Sequence, residues 1–156
     1  MRKINKAILT AVSALTLTLG ASTAAHADGH VRWQNVDPNI QICLGHITDI
    51  WGTPNDVAMR GCNNGEAQWY DQNVGGNDWL QRADNDRNYC LTAYSDADVY
   101  MEQCSGNDWQ RWNEEYVNGH WHLHHKATGW CLQADDRGKG IVVRACDYKA
   151  QNQMWD

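Results

Sequence analysis

Carboxylate pairs are the first side chains in this 156-residue chain whose types and spacing suggest chemistry. Examples are Glu114-Glu115, Asp135-Asp136 and Asp84 with Asp86. Glycoside hydrolysis needs two carboxylates at a defined separation in a cleft, and nothing in the sequence selects one pair for that role. Adjacent acids in loops are usually solvated turn residues, and no Ser-His-Asp or Cys-His arrangement is present. We therefore predict a protein that is not an enzyme.

A histidine-rich segment over residues 120–125 is the second candidate for chemistry. If the segment is a strand, three alternate histidines share the face opposite Trp121 and Leu123. These histidines are His120, His122 and His124. Imidazoles at this spacing could bind zinc or copper, but no ligand from another element can be named, so we favour a solvated strand face and predict no metal or other cofactor. On that face the histidines would gain charge between about pH 5 and 7.

Residues 1–27 have the features of a secretory signal peptide. Three basic residues precede an apolar run over residues 7–19, and Ala25-His26-Ala27 is a small-x-small cleavage signal. The run is shorter than the roughly 20 apolar residues of a spanning helix, although a retained membrane anchor is the alternative. We therefore predict a secreted, extracellular protein without membrane insertion, whose single domain covers residues 28–156.

The exported part is strongly acidic. The whole chain has 13 basic and 19 acidic side chains, and removal of the signal peptide leaves 10 basic against 19 acidic, a formal charge of −9. A phosphate backbone requires a basic surface, so we exclude nucleic acid as a partner. Anionic membrane surfaces are disfavoured for the same reason.

A threefold repeat organises the exported part. The second cysteine of each sequential pair recurs every 42 residues, at Cys62, Cys104 and Cys146, and tryptophan recurs every 43, at Trp69, Trp112 and Trp155. Cys-Leu pairs begin at Cys43, Cys90 and Cys131, preceded by Trp33, Trp79 and Trp121. Apolar residues alternate with polar ones before each second cysteine, which predicts a strand. Self-similarity at this period indicates a repeat architecture.

Three such units must close around a common axis, because about 42 residues cannot bury their own apolar face. The sequence therefore predicts an all-β, pseudo-threefold barrel with lobes at about 31–73, 74–116 and 117–156, and with the repeated tryptophans in its core. All six cysteines lie in the exported part, and equivalent positions must take equivalent partners. The predicted disulfides are Cys43–Cys62, Cys90–Cys104 and Cys131–Cys146.

The Cys-Leu pair, the alternating strand and a Gln-x-Trp motif, three times over, resemble the ricin-type β-trefoil lectins. Gln110-Arg111-Trp112 and Gln153-Met154-Trp155 are complete motifs, whereas the first lobe has Ala67-Gln68-Trp69. The resemblance covers about residues 31–156. It implies a β-trefoil of twelve strands, a secreted carbohydrate-binding role and up to three shallow sites, one in each lobe.

The sugar sites of this family commonly use an Asp two residues after the first Cys, an aromatic residue two before the second, and an Asn-Gln pair. A carboxylate or carboxamide holds two hydroxyls while a ring covers the apolar face of the sugar. Here the Asp positions hold Gly45, Thr92 and Gln133, and the aromatic positions hold Arg60, Glu102 and Arg144. The pairs are Glu66-Ala67, Trp109-Gln110 and Asn152-Gln153.

Replacement residues nevertheless suggest carbohydrate sites, and we rank the third lobe first. Its candidates are Asp135 (beside Asp136), Arg144, Asn152, Gln153 and Trp130. The second lobe offers Tyr94, Asp96, Tyr100 and Gln110, and the first offers Trp51, a ring for which the repeat has no core position. Gln110 and Gln153 can instead satisfy backbone groups in their turns, and Trp51 and Trp130 can instead be partly buried.

The resemblance thus predicts a secreted, non-catalytic lectin whose partner is a glycan or polysaccharide. The alternative is a degenerate trefoil that binds a secreted protein, for instance as a hydrolase inhibitor or as the targeting subunit of a toxin. The absence of the expected Asp from all three lobes supports this alternative.

Overall fold

The computed structural model describes residues 28–135 and 140–156 and is built from strands. The signal-peptide prediction for residues 1–27 lies outside this part of the chain. The strands are β1 (Gly29–Val31), β2 (Cys43–Thr48), β3 (Pro54–Arg60), β4 (Trp69–Gly75), β5 (Asp78–Ala83), β6 (Tyr89–Ala93), β7 (Val99–Gln103), β8 (Trp112–Val117), β9 (His120–His125), β10 (Cys131–Ala134) and β11 (Ile141–Arg144). Single 3₁₀ turns at Gly65–Ala67 and Gln151–Gln153 precede Trp69 and Trp155.

Three antiparallel hairpins and a barrel make up the fold. The hairpins β2–β3, β6–β7 and β10–β11 are the repeated units, and their second strands meet at one end, with Asp56 of β3 opposite Tyr100 of β7. Strands β4, β5, β8 and β9 form the barrel wall, in which β5 also pairs with β8. This is the predicted pseudo-threefold β-trefoil.

The two ends of the domain close the barrel by isolated pairing. Asn35 bridges Trp155, and Trp155 also bridges Trp121. Gln34 and Asp156 exchange two backbone hydrogen bonds, of 2.8 and 2.9 Å, and the buried Asn35 amide donates to the carbonyls of Asn152 and Met154. The expected twelve strands are therefore not all formed in the described residues. The strand positions around Trp33 and Trp155 shorten to bridges, while β1 is an addition that pairs with β4.

The core repeats one interaction three times. Trp69, Trp112 and Trp155 are completely buried. Each indole N–H donates to the carbonyl of the leucine in its lobe's Cys-Leu pair, namely Leu44, Leu91 and Leu132, over 2.9, 3.0 and 3.3 Å. The alternating residues of the hairpins, such as Val99 and Met101, are buried beside them. The predicted core is confirmed for these residues.

The second set of tryptophans is less uniform. Trp33 and Trp79 are buried, as predicted, but Trp121 is only half-buried. Its ring packs against Trp33 and Tyr116, with ring centroids 6.5 and 4.9 Å away. Trp121 therefore lies at the margin of the core.

The three predicted disulfides are present, Cys43–Cys62, Cys90–Cys104 and Cys131–Cys146. Each joins the two strands of one hairpin or the turn that follows, across 19, 14 and 15 residues of sequence. In the chain-entropy model a loop of this length contributes about 3 kcal/mol to stability. The disulfides therefore hold each hairpin separately and leave the contacts between lobes to the core.

Polar side chains lie inside the barrel as well. Gln81 is completely buried; its carbonyl accepts from the Trp33 indole over 2.8 Å, and its amide donates to carboxylates of Asp71 and Glu114, each at 2.8 Å. Asp71 and Glu114 each follow a core tryptophan by two residues, so the repeat itself brings the acids together. Burial first, and then the neighbouring Glu114 carboxyl, raises the pKa of Asp71 to about 9.

This buried acid pair should make the protein less stable at alkaline pH. Between the ordinary aspartate pKa of 3.8 and about 9, the folded state holds a proton that the unfolded state has lost, so the free energy of unfolding falls as pH rises. We expect a decrease of up to about 1.4 kcal/mol per pH unit from pH 7 to 9. Urea unfolding of the disulfide-intact protein at several pH values measures it.

An Asp71→Asn variant should lose most of this pH dependence, because the amide does not titrate and can still donate to Glu114. The buried histidines His46, His122 and His125 do not contribute in this window, since burial lowers the pKa of each further below it. An Asp37→Asn variant, changed in an outer loop, serves as the control. Equal slopes in wild type and Asp71→Asn would contradict the shared-proton interpretation.

Candidate functional site

The family's sugar position in the first lobe is filled by the protein's own arginine. A Cβ atom added at Gly45 would lie 2.4 Å from Cγ of Arg60, so the arginine stem lies across the glycine. Arg60 Nε then donates to Glu66 over 3.0 Å, and the Thr48 hydroxyl donates to the same carboxylate over 3.1 Å. Burial alone would raise the pKa of Glu66, but these hydrogen bonds and the arginine charge lower it.

In the second lobe, the equivalent position is used for an internal hydrogen bond. Thr92 is buried and accepts from the amide of Gln110 over 3.2 Å. That amide also donates to the carbonyl of Gln103, while the Gln110 carbonyl accepts from the backbone of Ser105 and Gly106. Gln110 is 1% exposed. It therefore organises the turn, the alternative that the sequence left open.

The third lobe repeats this arrangement with Gln153. This residue is 2% exposed, donates to Gln133 and to the carbonyl of Ala145 over 2.9 and 3.1 Å, and accepts from the backbone of Asp147 over 2.8 Å. The glutamine of the Gln-x-Trp motif is thus structural here too. A direct sugar contact by Gln110 or Gln153 stays a prediction that would require these bonds to open.

The other third-lobe candidates lie around the same hairpin. Trp130 is half-buried and packs against the core. Asp135 follows β10, half-buried, and its backbone pairs with Gly140; Arg144 is exposed and donates to the carbonyl of Val143. Asn152 is half-buried. Asp136 lies outside the described residues.

The clearest exposed group of rings is in the second lobe and consists of Tyr94, Tyr100 and Trp109, here called the aromatic group. All three are half-buried. The Tyr94 ring lies between the others, with centroids 6.2 Å from Tyr100 and 5.4 Å from Trp109 and interplanar angles of 49° and 43°. Both tyrosines, but not Trp109, are candidates from the sequence. The sequence feature that could have identified Trp109 is its position directly before Gln110, where the family has Asn.

Carboxylates border the aromatic group. The Tyr94 hydroxyl donates to Glu102 over 2.7 Å, and the Tyr100 hydroxyl donates to Asp96 over 3.2 Å. The hydrogen bond to Glu102 raises the pKa of Tyr94, and the hydrogen bond to Asp98 is the largest of the effects that raise the pKa of Tyr100 to about 12. Both phenols consequently remain protonated donors, which leaves the acidic oxygens as acceptors.

A buried histidine fixes the aromatic group to the core. His125 Nε2 donates to the carbonyl of Trp109 over 3.0 Å, so its Nδ1, 2.9 Å from the Thr128 hydroxyl, is the acceptor. The imidazole also lies 5.0 Å from the core ring of Trp112. Burial lowers the pKa of His125, which keeps the ring neutral. The position of Trp109 thus depends on the same tryptophan that organises the lobe.

The first lobe presents its apolar residues at the turn between β2 and β3. Ile50 is 90% and Trp51 83% exposed. Oδ1 of Asp49 accepts from the backbone of Trp51 and Thr53 over 2.8 and 2.9 Å, and Gly52 has a φ of 82°, which glycine adopts readily. The turn is therefore ordered and holds both side chains in solvent. Of the two alternatives for Trp51, partial burial is wrong.

The expected solvated histidine face is also wrong. His122 is completely buried against Tyr148, with ring centroids 5.0 Å apart, and burial lowers its pKa, which disfavours the charged form. His120 contacts Asp156 at 2.7 Å, and His124 contacts Glu115 at 3.0 Å. The C-terminal turn covers this part of β9, which sequence alternation could not indicate.

A metal centre finds little support around these histidines. In residues 28–135 and 140–156, the one group with converging metal-ligand atoms is His124, Cys131 and Cys146. The two cysteines form a disulfide and so lack the thiolates that a metal requires.

The filled position in the first lobe predicts a stability effect. Gly45→Ala should lower the free energy of unfolding by about 1–3 kcal/mol, because its Cβ would overlap the Arg60 stem close to the backbone. Gly61→Ala is the matched control, since nothing lies within 4 Å of its added Cβ. Urea unfolding compares the two variants, and an equal loss for both would show that Arg60 does not occupy the position.

Solved structures share this fold at low identity. The designed threefold-symmetric protein ThreeFoil is 17% identical with a TM-score of 0.70, covering 82% of this chain and 96% of its own. A mosquitocidal holotoxin has 17% identity and a TM-score of 0.71, covering 83% and 17%. A Polyporus squamosus lectin bound to an influenza-binding sialyl epitope has 17% identity and a TM-score of 0.68, covering 84% and 49%. This chain thus spans less than half of the last two proteins.

A family model gives the more specific result. No curated protein sequence matches the chain significantly. The model of the ricin-type beta-trefoil lectin domain matches residues 24–155, which is most of the chain. The repeated Trp-to-Leu hydrogen bonds and the one-disulfide hairpins described above are the structural counterpart of that match. The chain therefore belongs to the ricin-type beta-trefoil lectin domain family.

Proposed function

We propose that this protein is a secreted, non-catalytic lectin that binds glycans at the aromatic group of its second lobe. Family membership supports carbohydrate binding in general. The observation that carries the choice of site is the combination of three half-buried rings with carboxylate acceptors beside them. A ring covers the apolar C–H face of a sugar, and a carboxylate accepts from its hydroxyls.

The second lobe is preferred to the third because its candidate side chains are less engaged in contacts inside the protein. In the third lobe, Gln153 is buried and Trp130 packs against the core. In the second, the hydrogen bonds that Glu102 and Asp96 accept from the described residues come from tyrosine hydroxyls and backbone N–H groups, so oxygen lone pairs remain for a ligand. Asp135, Arg144 and Asn152 are retained as candidates for a secondary site.

Several features support secretion and the lack of catalysis. The first 27 residues have signal-peptide composition, and three disulfides suit an oxidising compartment. Residues 28–135 and 140–156 contain no helix long and apolar enough to cross a membrane. Two of the three acidic pairs considered for hydrolysis contain an acid with another role, because Glu114 is buried against Gln81 and Asp84 forms an ion pair with Arg87.

Removal of one ring of the aromatic group should abolish most glycan binding. Trp109→Ala should weaken binding about 10- to 100-fold, since a stacked ring contributes roughly 1.5–3 kcal/mol. A glycan array identifies the ligand, and isothermal titration calorimetry with that ligand measures the change. Trp51→Ala is the control, because it removes an exposed indole from another lobe. A glycan bound equally by wild type and Trp109→Ala would refute this site.

Binding of a secreted protein remains the second candidate function. The exposed side chains of Ile50 and Trp51 favour this function. Two adjacent apolar side chains on an ordered, solvent-exposed turn are typical of a surface that contacts another protein. The internal use of all three family Asp positions favours it too. If no glycan binds and Trp51→Ala releases a co-purifying secreted protein, this function replaces the lectin.

A further inference from the structure

We infer that the aromatic group selects amino sugars whose amines are free and positively charged, in preference to neutral sugars. The inference rests on the proposed function and specifies its ligand. It follows from the charge at one repeated position, from the lack of internal cations at the site, and from the chemistry of the three rings.

The repeat provides an internal comparison of charge. The position two residues before the second cysteine holds Arg60 in the first lobe, Glu102 in the second and Arg144 in the third. Only the second lobe, which has the aromatic group, places a carboxylate there. In the first lobe the arginine neutralises Glu66 at 3.0 Å. The second lobe thus has the opposite charge at an equivalent place in the same fold.

Within residues 28–135 and 140–156, no cationic side chain pairs with the carboxylates beside the aromatic group. Asp96, Asp98 and Glu102 form no ion pair with any Lys, Arg or His in the described part of the chain. Other acids do form such pairs, for example Asp78 with Arg111 and Asp84 with Arg87. Asp96, Asp98 and Glu102 instead contact tyrosine hydroxyls and backbone N–H groups. The described residues around the rings therefore provide negative charge without a paired cation.

The aromatic rings also attract cations, as the carboxylates do. Aromatic faces carry negative electrostatic potential and attract cations within about 6 Å of their centroids. The central Tyr94 ring is flanked by two others within 6.2 Å, so a bound ammonium group can contact more than one face. Phenol hydroxyls that donate to carboxylates also have more electron-rich rings, which strengthens this attraction.

An amino sugar matches both features at once. Its ammonium group has three N–H donors and no acceptor, which suits acceptor-only carboxylates better than a hydroxyl does. Its ring still offers a C–H face to an indole. N-acetylation removes the charge and adds bulk, so it should remove the advantage. The acidic exported domain, with a formal charge of −9 from the sequence, would also attract a polycationic glycan.

Calorimetry with two oligosaccharides of one backbone tests the inference. The probes are a tetramer of β-1,4-linked glucosamine and its fully N-acetylated counterpart, each titrated into the exported domain at about pH 5.5, where the amines are charged. We expect the glucosamine tetramer to bind at least about tenfold more tightly, as for charge-assisted over neutral hydrogen bonds. Its affinity should fall as salt increases.

Two charge variants assign the preference to the site. Glu102→Gln keeps an acceptor for the Tyr94 hydroxyl but removes the charge, and it should reduce the ratio of the two affinities severalfold. Asp37→Asn removes one charge from an outer loop, keeps the oxygen that accepts from Asn39, and should leave the ratio unchanged. Thermal unfolding midpoints equal to wild type confirm that both variants are folded.

The outcomes separate this inference from the proposed function. If the N-acetylated tetramer binds as tightly as the amine, or if another neutral glycan binds at Trp109 while the amine does not, the charge preference is refuted and the lectin stands. If no glycan of either kind binds, both fail. An equal reduction of amine binding by Glu102→Gln and Asp37→Asn would show only general attraction to an acidic protein and would also refute the site.

Discussion

The hydrogen bond from a buried indole to a leucine carbonyl, formed once in each lobe, is the interaction on which this trefoil depends. It joins the turn that carries each Gln-x-Trp or Ala-Gln-Trp sequence to the first strand of the hairpin before it. The neighbouring cysteine of each Cys-Leu pair is held by a disulfide, so the accepting carbonyl has a fixed position. A completely buried indole N–H without this partner would be costly, and the three lobes consequently keep the same geometry.

A frame fixed in this way allows the surface of each lobe to differ. The position of Arg60, Glu102 and Arg144 supports an internal ion pair in one lobe, a tyrosine contact in the next and an exposed side chain in the third. His46 is buried where the other lobes have Ala93 and Ala134, and its ring contacts Trp69 edge-on. Divergence of this kind lets one lobe acquire a binding surface while another closes its own.

The sequence was sufficient for the features that repeat. Equal spacing of Trp69, Trp112 and Trp155 and of the cysteines specified the trefoil and its disulfides, because equivalent residues must take equivalent places. It was insufficient where a contact crosses between distant segments. Two contacts depend on how segments far apart in sequence pack against each other. The first is the contact of Tyr148 with His122, and the second is the contact of Gln81 with both Asp71 and Glu114.

The candidate site was likewise predicted only in part from the sequence. Tyr94 and Tyr100 are candidates from the sequence because they are aromatic residues of the repeated hairpin, whereas Trp109 was missed because it occupies a place where the family has a polar residue. The ranking of the third lobe relied on the carboxylates of Asp135 and Asp136, a polar rim of Arg144, Asn152 and Gln153, and the ring of Trp130. Of these, Gln153 is buried and Trp130 packs against the core. Residue type alone does not reveal this burial, since a glutamine beside a turn can serve the backbone as well as a ligand.

The closure of the barrel by Gln34–Val36 and Met154–Asp156 has a consequence for the order of folding. These contacts join residues about as far apart as the domain permits, so their loop-closure entropy is the largest in the molecule. Each hairpin can form from local sequence as soon as it emerges, but the wall of the barrel stays open until the last residues arrive. The barrel can therefore close only after the hairpins between these two segments have been made, since closure requires both segments at once.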